Sequence, residues 1–320
     1  MLHEQVKRTL DESQSTPSYW AISIRRLLRK KIGVTCLVII ALMYGSGIFA
    51  PLVTPYGYND QDLSNTKQSP SLTHPFGTDR LGRDNLTRII YGLRTTVIIT
   101  VVTLATGSLA LGITLGLVAG YFGRLVDTFI MRIGEVSSAF PEIFLVLIIV
   151  STFKPPITRW VRMVEDLVGF DILSLGVVDY LVISLALAIF SWFGMARLVR
   201  GQVLQARENQ YVEAARSIGA STPRIMLRHL LPNVMSPVIV TVSAGLAAVA
   251  GSEVLISFLG IGIQPPTPSL GLMIFENGSI SVLRSDPHLL LFPVLTLSLL
   301  LFTFNLLGDA VADAFNPRAR

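Results

Sequence analysis

Glu142 and Glu253 are carboxylates that fall inside long apolar runs of this 320-residue chain. Charge at membrane depth is costly and is kept where it meets protein or water. Each is therefore neutral or paired with an arginine such as Arg132 or Arg197, or else it lines a solute path and meets a cationic group. That chemistry is binding, not bond-breaking. No G-x-x-x-x-G-K-[ST] occurs and no glycine is followed by lysine, so a P-loop for ATP is lacking. H-E-x-x-H, C-x-x-C and G-x-S-x-G are also missing, and His3, His74, His229 and His288 lack ligand spacing. No catalytic, cofactor-binding or metal-ligating residue is expected, and an energy source would have to be another polypeptide.

The elements that position these groups are apolar helices. Half of the chain is hydrophobic (51%), 15% is charged, and the mean hydropathy is +0.59. A bilayer core of about 30 Å needs roughly 20 apolar residues as helix, because unpaired backbone groups cannot face lipid. Six runs qualify: Ile32–Val53, Thr95–Ala119, Phe129–Phe153, Tyr180–Leu198, Val234–Leu259 and Leu289–Asp309. The fold class is all-α, a polytopic membrane helix bundle. Cys36 lies within the first run and reads as a small buried hydrophobe, with no disulfide partner.

The charge of +5 is spread over segments flanking these runs, which fits membrane orientation rather than nucleic-acid binding. Lys7, Arg8, Arg25, Arg26, Arg29, Lys30 and Lys31 precede the first span; Arg200, Arg207, Arg216, Arg224 and Arg228 lie between the fourth and fifth; Arg318 and Arg320 end the chain. The positive-inside rule places these segments, and both termini, in the cytoplasm of a cell whose plasma membrane the chain crosses. The expected organisation is a tail (1–31), a first span retained as an anchor (32–53), an extracytoplasmic loop (54–94), a core of five spans (95–310) containing loop 200–233, and a second tail (311–320).

Gly112, Gly116 and Gly120 mark one face of the second span for close packing within the chain. The fifth span is rich in small residues from Ser243 to Ser252 and is expected in the middle of the bundle. Within Lys154–Asp179, Val161, Val164, Leu167 and Val168 have the spacing of an amphipathic surface helix. Pro265-Pro266-Thr267-Pro268 disfavours helix and is expected as a rigid or kinked outer link.

Loop 200–233 is too polar for lipid and too helix-prone for a passive linker. Gln210–Ile218 should form a helix stopped by Gly219. Thr222 should cap a second helix, with Pro223 at its first position, running until Pro232 breaks it. Ala214 and Ala215 give a slim profile and Glu213 a charge for a partner or for the helix amino terminus, so the loop reads as a docking knob.

Glu213-Ala214-Ala215, then Gly219, then Leu231-Pro232 resembles the EAA loop of binding-protein-dependent ABC importer permeases, with His229 where isoleucine is common. In that family the loop is a coupling helix seated in a cleft of the ATPase, and the resemblance implies this role for Glu213, Ala214, Ala215, Gly219, Leu231 and Pro232. HPFGTDRLGRD (His74–Asp84), SFLGIGIQPPTPSLG (Ser257–Gly271) and NLLGDAVADAFNPR (Asn305–Arg318, with Asn316 where aspartate is frequent) resemble the second permease subunit of dipeptide, oligopeptide and nickel importers. The turn-forming residues Asp79, Arg80, Arg83 and Asp84 are then either a solvated turn or a contact with the binding protein. The resemblance implies a heterodimer with a homologous permease, two ABC ATPase subunits and an extracytoplasmic substrate-binding protein. Peptides are the expected cargo, with nickel or another small solute as the alternative. An ion-coupled secondary transporter is the rival of another class, but no internal repeat supports it.

Overall fold

The computed structural model describes residues 19–169, 173 and 175–316; the expectations for Lys7 and Arg8 and for residues 317–320 lie outside them. The described residues form helices joined by irregular segments: α1 (Tyr19–Arg29), α2 (Lys31–Ile48), α3 (Asn85–Phe122), α4 (Arg124–Ser138), α5 (Glu142–Val168), α6 (Val177–Ala206), α7 (Gln210–Ser217), α8 (Thr222–Phe258), α9 (Leu270–Asn277) and α10 (His288–Ala314). Six of these, α2, α3, α5, α6, α8 and α10, are long and apolar enough to cross a membrane. The all-α polytopic class follows from them.

The third crossing departs from the sequence reading. Phe129–Phe153 is not one helix, because the chain breaks at Ala139-Phe140-Pro141 and restarts as α5, with Pro141 at the N-cap position. Proline has no N–H to donate and disfavours helix in the residue before it, which sets the break. Lys154–Val168 is then no separate surface helix. It continues α5 without interruption through Pro155 and Pro156.

α3 and α6 are the most enclosed spans, each half buried, whereas α8 is 28% buried over its apolar window. α8 nonetheless packs against four other spans, α3, α5, α6 and α10, so its lower burial does not take the fifth span out of the middle. The enclosure of α3 comes from its glycine face, which contains a π-helical stretch, Leu104–Gly112. A Cβ on Gly112, Gly116 or Gly120 would come within 2.6–2.7 Å of Met195, Ala196 or Val203, so α3 and α6 meet backbone to side chain with no spare room. Several small residues of α8 look into open space instead: Gly251 has no neighbour within 4 Å of its Cβ position.

The link Pro265-Pro266-Thr267-Pro268 is more than a spacer. Thr267 and Pro268, with Ser269 and Leu270 after them, are buried, and Thr95 Oγ1 on α3 donates to Pro268 O at 2.9 Å, so the segment plugs one end of the bundle. α9 begins directly from this plug, with Ser269 accepting from Leu272 N as its cap.

Candidate coupling surface and transport path

Loop 200–233 forms a helix, a bend and a helix. α7 runs from Gln210 to Ser217, and Gly219 follows at φ +80°, a left-handed value that glycine adopts without strain. Ala220 N then donates to Ala215 O at 3.0 Å, closing the turn. Ser221, not Thr222, occupies the N-cap position of α8, since Thr222 already has helical backbone. Pro232 does not end the helix either. A π-helical turn, Ile225–Leu230, immediately precedes it and accommodates a residue with no N–H, so α8 continues to Phe258.

Alternate faces of α7 have opposite fates. Val212 and Ala215 (5% exposed) are packed into a core with Val203, Ile225, Leu230 and Val234. Glu213, Ala214, Ser217 and Gly219 face outward, and Ile218 at the tip is 86% exposed. Leu231 is half-buried and Pro232 exposed at the base. The knob is thus rigidly seated and presents an uncovered apolar tip. A cradle fixes it to the preceding helices: Arg207 Nη1 donates to Gly120 O and Tyr121 O at 3.0 and 3.4 Å, the Arg216 guanidinium lies 5.3 Å from the Tyr121 ring, and Arg200 pairs with Asp127 on α4 through both carboxylate oxygens. Asp127 was missed in the sequence; an acidic residue in a first helical turn beside a basic loop was the available signal.

The two intramembrane carboxylates part company. Glu253 on α8 is fully buried; Oε2 accepts from Thr96 Oγ1 and Oε1 from Ser257 Oγ, each at 3.0 Å, so it ties α8 to α3 and has no arginine partner. Glu142 is exposed at the start of α5 and lines a cavity of about 220 Å³. Thr103, Ser108, Ser191, Thr241 and Ser252 share a mostly apolar lining with Leu104, Leu187 and Val242. Arg132 pairs instead with Glu135 at 2.9 Å, and Arg197 stacks 4.4 Å above the Phe193 ring. Twelve residues beyond Glu142, Lys154 meets Asp179 at the start of α6 (2.9 Å) and Gly262 O just beyond the end of α8 (3.0 Å), which marks one end of the bundle. At about 1.5 Å rise per residue Glu142 lies about 18 Å below that level, near the middle of the bundle.

At the same end, Asp79 accepts from Leu81 N, Arg83 N, Arg83 Nε and Arg88 Nη1 at 2.6–3.0 Å. Asp84 accepts from Thr87 N at 2.7 Å as the N-cap of α3 and lies 2.9 Å from His74 Nδ1. Asp79, Arg83 and Asp84 are all buried, so their polar atoms are spent within the protein. Arg80 is different. Its side chain is 60% exposed, with one contact to Glu276 at 3.2 Å.

A helical membrane protein with a rigidly seated, exposed helix-bend-helix loop at one end and a cavity bordered by Glu142 among its spans is the class these features define. Residues 112–320 match the family model described as binding-protein-dependent transport system inner membrane component, and residues 18–70 match that of the N-terminal TM domain of oligopeptide transport permease C. The chain is 34% identical over 310 residues to the dipeptide transport system permease protein DppC of Alkalihalophilus pseudofirmus, covering 97% of this chain and 93% of the relative. It is 32% identical over 308 residues to the oligopeptide transport system permease protein OppC of Bacillus subtilis (96% and 92%), and 36% identical over 313 residues to the glutathione transport system permease protein GsiD of Pectobacterium atrosepticum (97% and 94%). The chain belongs to the family of binding-protein-dependent transport system inner membrane components, as a multi-pass permease.

Proposed function

We propose that this chain forms half of the translocation path of an ATP-driven importer of small peptides, and that α7 and the bend at Gly219 receive the mechanical input from a separate ATPase. The observation that carries this is the contrast on α7: Val212 and Ala215 lock the helix to the bundle while Glu213, Ala214 and Ile218 are offered to a partner. A force applied at the tip is passed to α6 and α8 through the shared core. Peptides are favoured over nickel because the relatives are named for dipeptides, oligopeptides and glutathione.

The working assembly pairs this permease with a homologous one in the bilayer, two ABC ATPases at the α7 end, and a substrate-binding protein at the Arg80 end. Both termini and loop 200–233 are cytoplasmic, as the basic residues direct. Glu142, at the border of the cavity, faces the path; Glu253 serves as a helix tether. Contact with the binding protein falls to Arg80, because Asp79, Arg83 and Asp84 are engaged internally. ATPase closure would rock the α6–α8 unit and alternate access to the Glu142 cavity.

Sidedness is the test. In a Cys36→Ser background, Ser217→Cys should react with a membrane-impermeant maleimide in inside-out vesicles and not in right-side-out cells, and added ATPase should protect it. Labelling from outside the intact cell would refute the reading.

A further inference from the structure

α1 is a second amphipathic element that the importer reading does not use. At eleven residues it is about 16 Å long, too short to cross a bilayer. It is separated from the span α2 by Lys30, whose backbone is extended (φ −82°, ψ 114°), so α1 need not follow the direction of α2. One side of α1 is committed to the protein. Ser23 is buried, Trp20 packs edge-on against Phe315, and Trp20 and Leu27 lie on the core formed by Cys36, Leu307, Val311 and Ala314.

The remaining surface is split by chemistry. Ile24 and Leu28 are 50% and 58% exposed and lie one turn apart, and Ile32 at the start of α2 is similarly uncovered. Arg25 and Arg29, also one turn apart, form the adjoining stripe, and Lys31 follows. No acidic residue occurs between Tyr19 and Lys31. Lys30 is held by Asp313 at 2.7 Å and Arg26 reaches Asn316 O at 3.5 Å, whereas among the described residues Arg25, Arg29 and Lys31 carry no ion pair.

We propose that α1 lies in the membrane interface and binds anionic phospholipid, with Ile24 and Leu28 at the acyl boundary and Arg25, Arg29 and Lys31 on the headgroup phosphates. Two observations select lipid over a protein partner. The exposed apolar stripe continues into the uncovered face of α2 (Ile32, Val38, Leu42), the surface of a membrane span. The uncompensated charge is of one sign only and stands at the end of that span, where a leaflet supplies the opposite charge. Because α1 grips Phe315, Asp313 and Asn316 beyond or near the end of α10, lipid held there also sets where α10 ends relative to the bilayer.

The test uses the complete assembly in nanodiscs of phosphatidylcholine, with or without phosphatidylglycerol. A fluorophore is placed on Ile24→Cys or Leu28→Cys in a Cys36→Ser background. The proposal requires shielding of the label from iodide and quenching by brominated acyl chains, both stronger with phosphatidylglycerol. Arg25→Gln/Arg29→Gln/Lys31→Gln should raise the phosphatidylglycerol needed for half-maximal quenching by about tenfold or more. A label open to iodide overturns the proposal, as does one shielded from iodide but not quenched by brominated lipid, which would mean that protein covers the stripe. An anionic-lipid response unchanged in the triple variant also overturns it. ATP-driven uptake, measured with the same variants in proteoliposomes of the same lipid compositions, reports on the importer reading separately.

Discussion

Thr96 donates a hydrogen bond to Glu253 at 3.0 Å, joining α3 to α8 near the plug that Thr267 to Leu270 form. Ser257, which donates to the other carboxylate oxygen, also accepts from Ile263 N at 3.3 Å, so one carboxyl group organises two helices and the plug together. Replacing it with Gln removes an acceptor while preserving shape. We expect Glu253→Gln to cost about 1 kcal/mol and Glu253→Leu about 1–3 kcal/mol, since the leucine removes the shared acceptor of two buried hydroxyls. Thermal unfolding of the purified assembly would measure both, and Leu being as stable as wild type would deny the tether.

Glu142 should behave in the opposite way. Its carboxylate borders the cavity and takes no part in packing, so Glu142→Gln should leave assembly and stability unchanged and lower uptake of peptides with a free amino terminus by about tenfold, the worth of a hydrogen bond to a charged group. Amino-terminally acetylated peptides should lose less. Equal uptake by wild type and variant would take Glu142 off the path.

The cluster around Asp79 separates a structural charge from an exposed one. Asp79→Ala leaves Arg83 buried without its ion pair and Arg88 with Glu276 alone, which should destabilise by about 3–5 kcal/mol and reduce the yield of assembled complex. Arg80→Ala should fold normally and weaken binding-protein-stimulated ATP hydrolysis alone. Similar losses of stability from both substitutions would contradict the division.

The glycine stripe gives a packing contrast. Gly116→Val forces a side chain into Ala196 and Val199 and should cost about 1–3 kcal/mol or prevent folding. Gly251→Ala meets nothing within 4 Å and should be neutral or slightly stabilising, as alanine is the better helix former. Melting temperatures of the two variants decide the matter.

Much of this architecture is legible in the sequence because lipid imposes it. Five of the six apolar runs coincide with a crossing helix, Phe129–Phe153 being broken at Ala139-Phe140-Pro141, and the close-packing face at Gly112, Gly116 and Gly120 could be read from spacing alone, because bare backbone is the way to bring helices together without a hydrophobic drive. What could not be read was geometry set by partners distant in sequence. Glu142 and Glu253 look equivalent as isolated carboxylates, and only the arrival of Thr96 beside one and a cavity beside the other tells them apart. Pro232 was expected to break a helix, but the π-helical turn before it is a tertiary accommodation with no local signature. Asp79, Arg83 and Asp84 looked like surface charges because their charge density is visible in sequence, while their mutual pairing and burial are not.

The central claim is that the uncovered tip of α7 transmits ATPase motion to the bundle. Ile218→Asp places a charge at that tip without touching the seated face formed by Val212 and Ala215. In proteoliposomes holding both permeases, the ATPases and the binding protein, this variant should assemble in the membrane, lose binding-protein-stimulated ATP hydrolysis and lose uptake by at least about tenfold, the effect of putting a charge where a partner expects an apolar anchor. Wild-type uptake by the fully assembled Ile218→Asp variant would contradict the account.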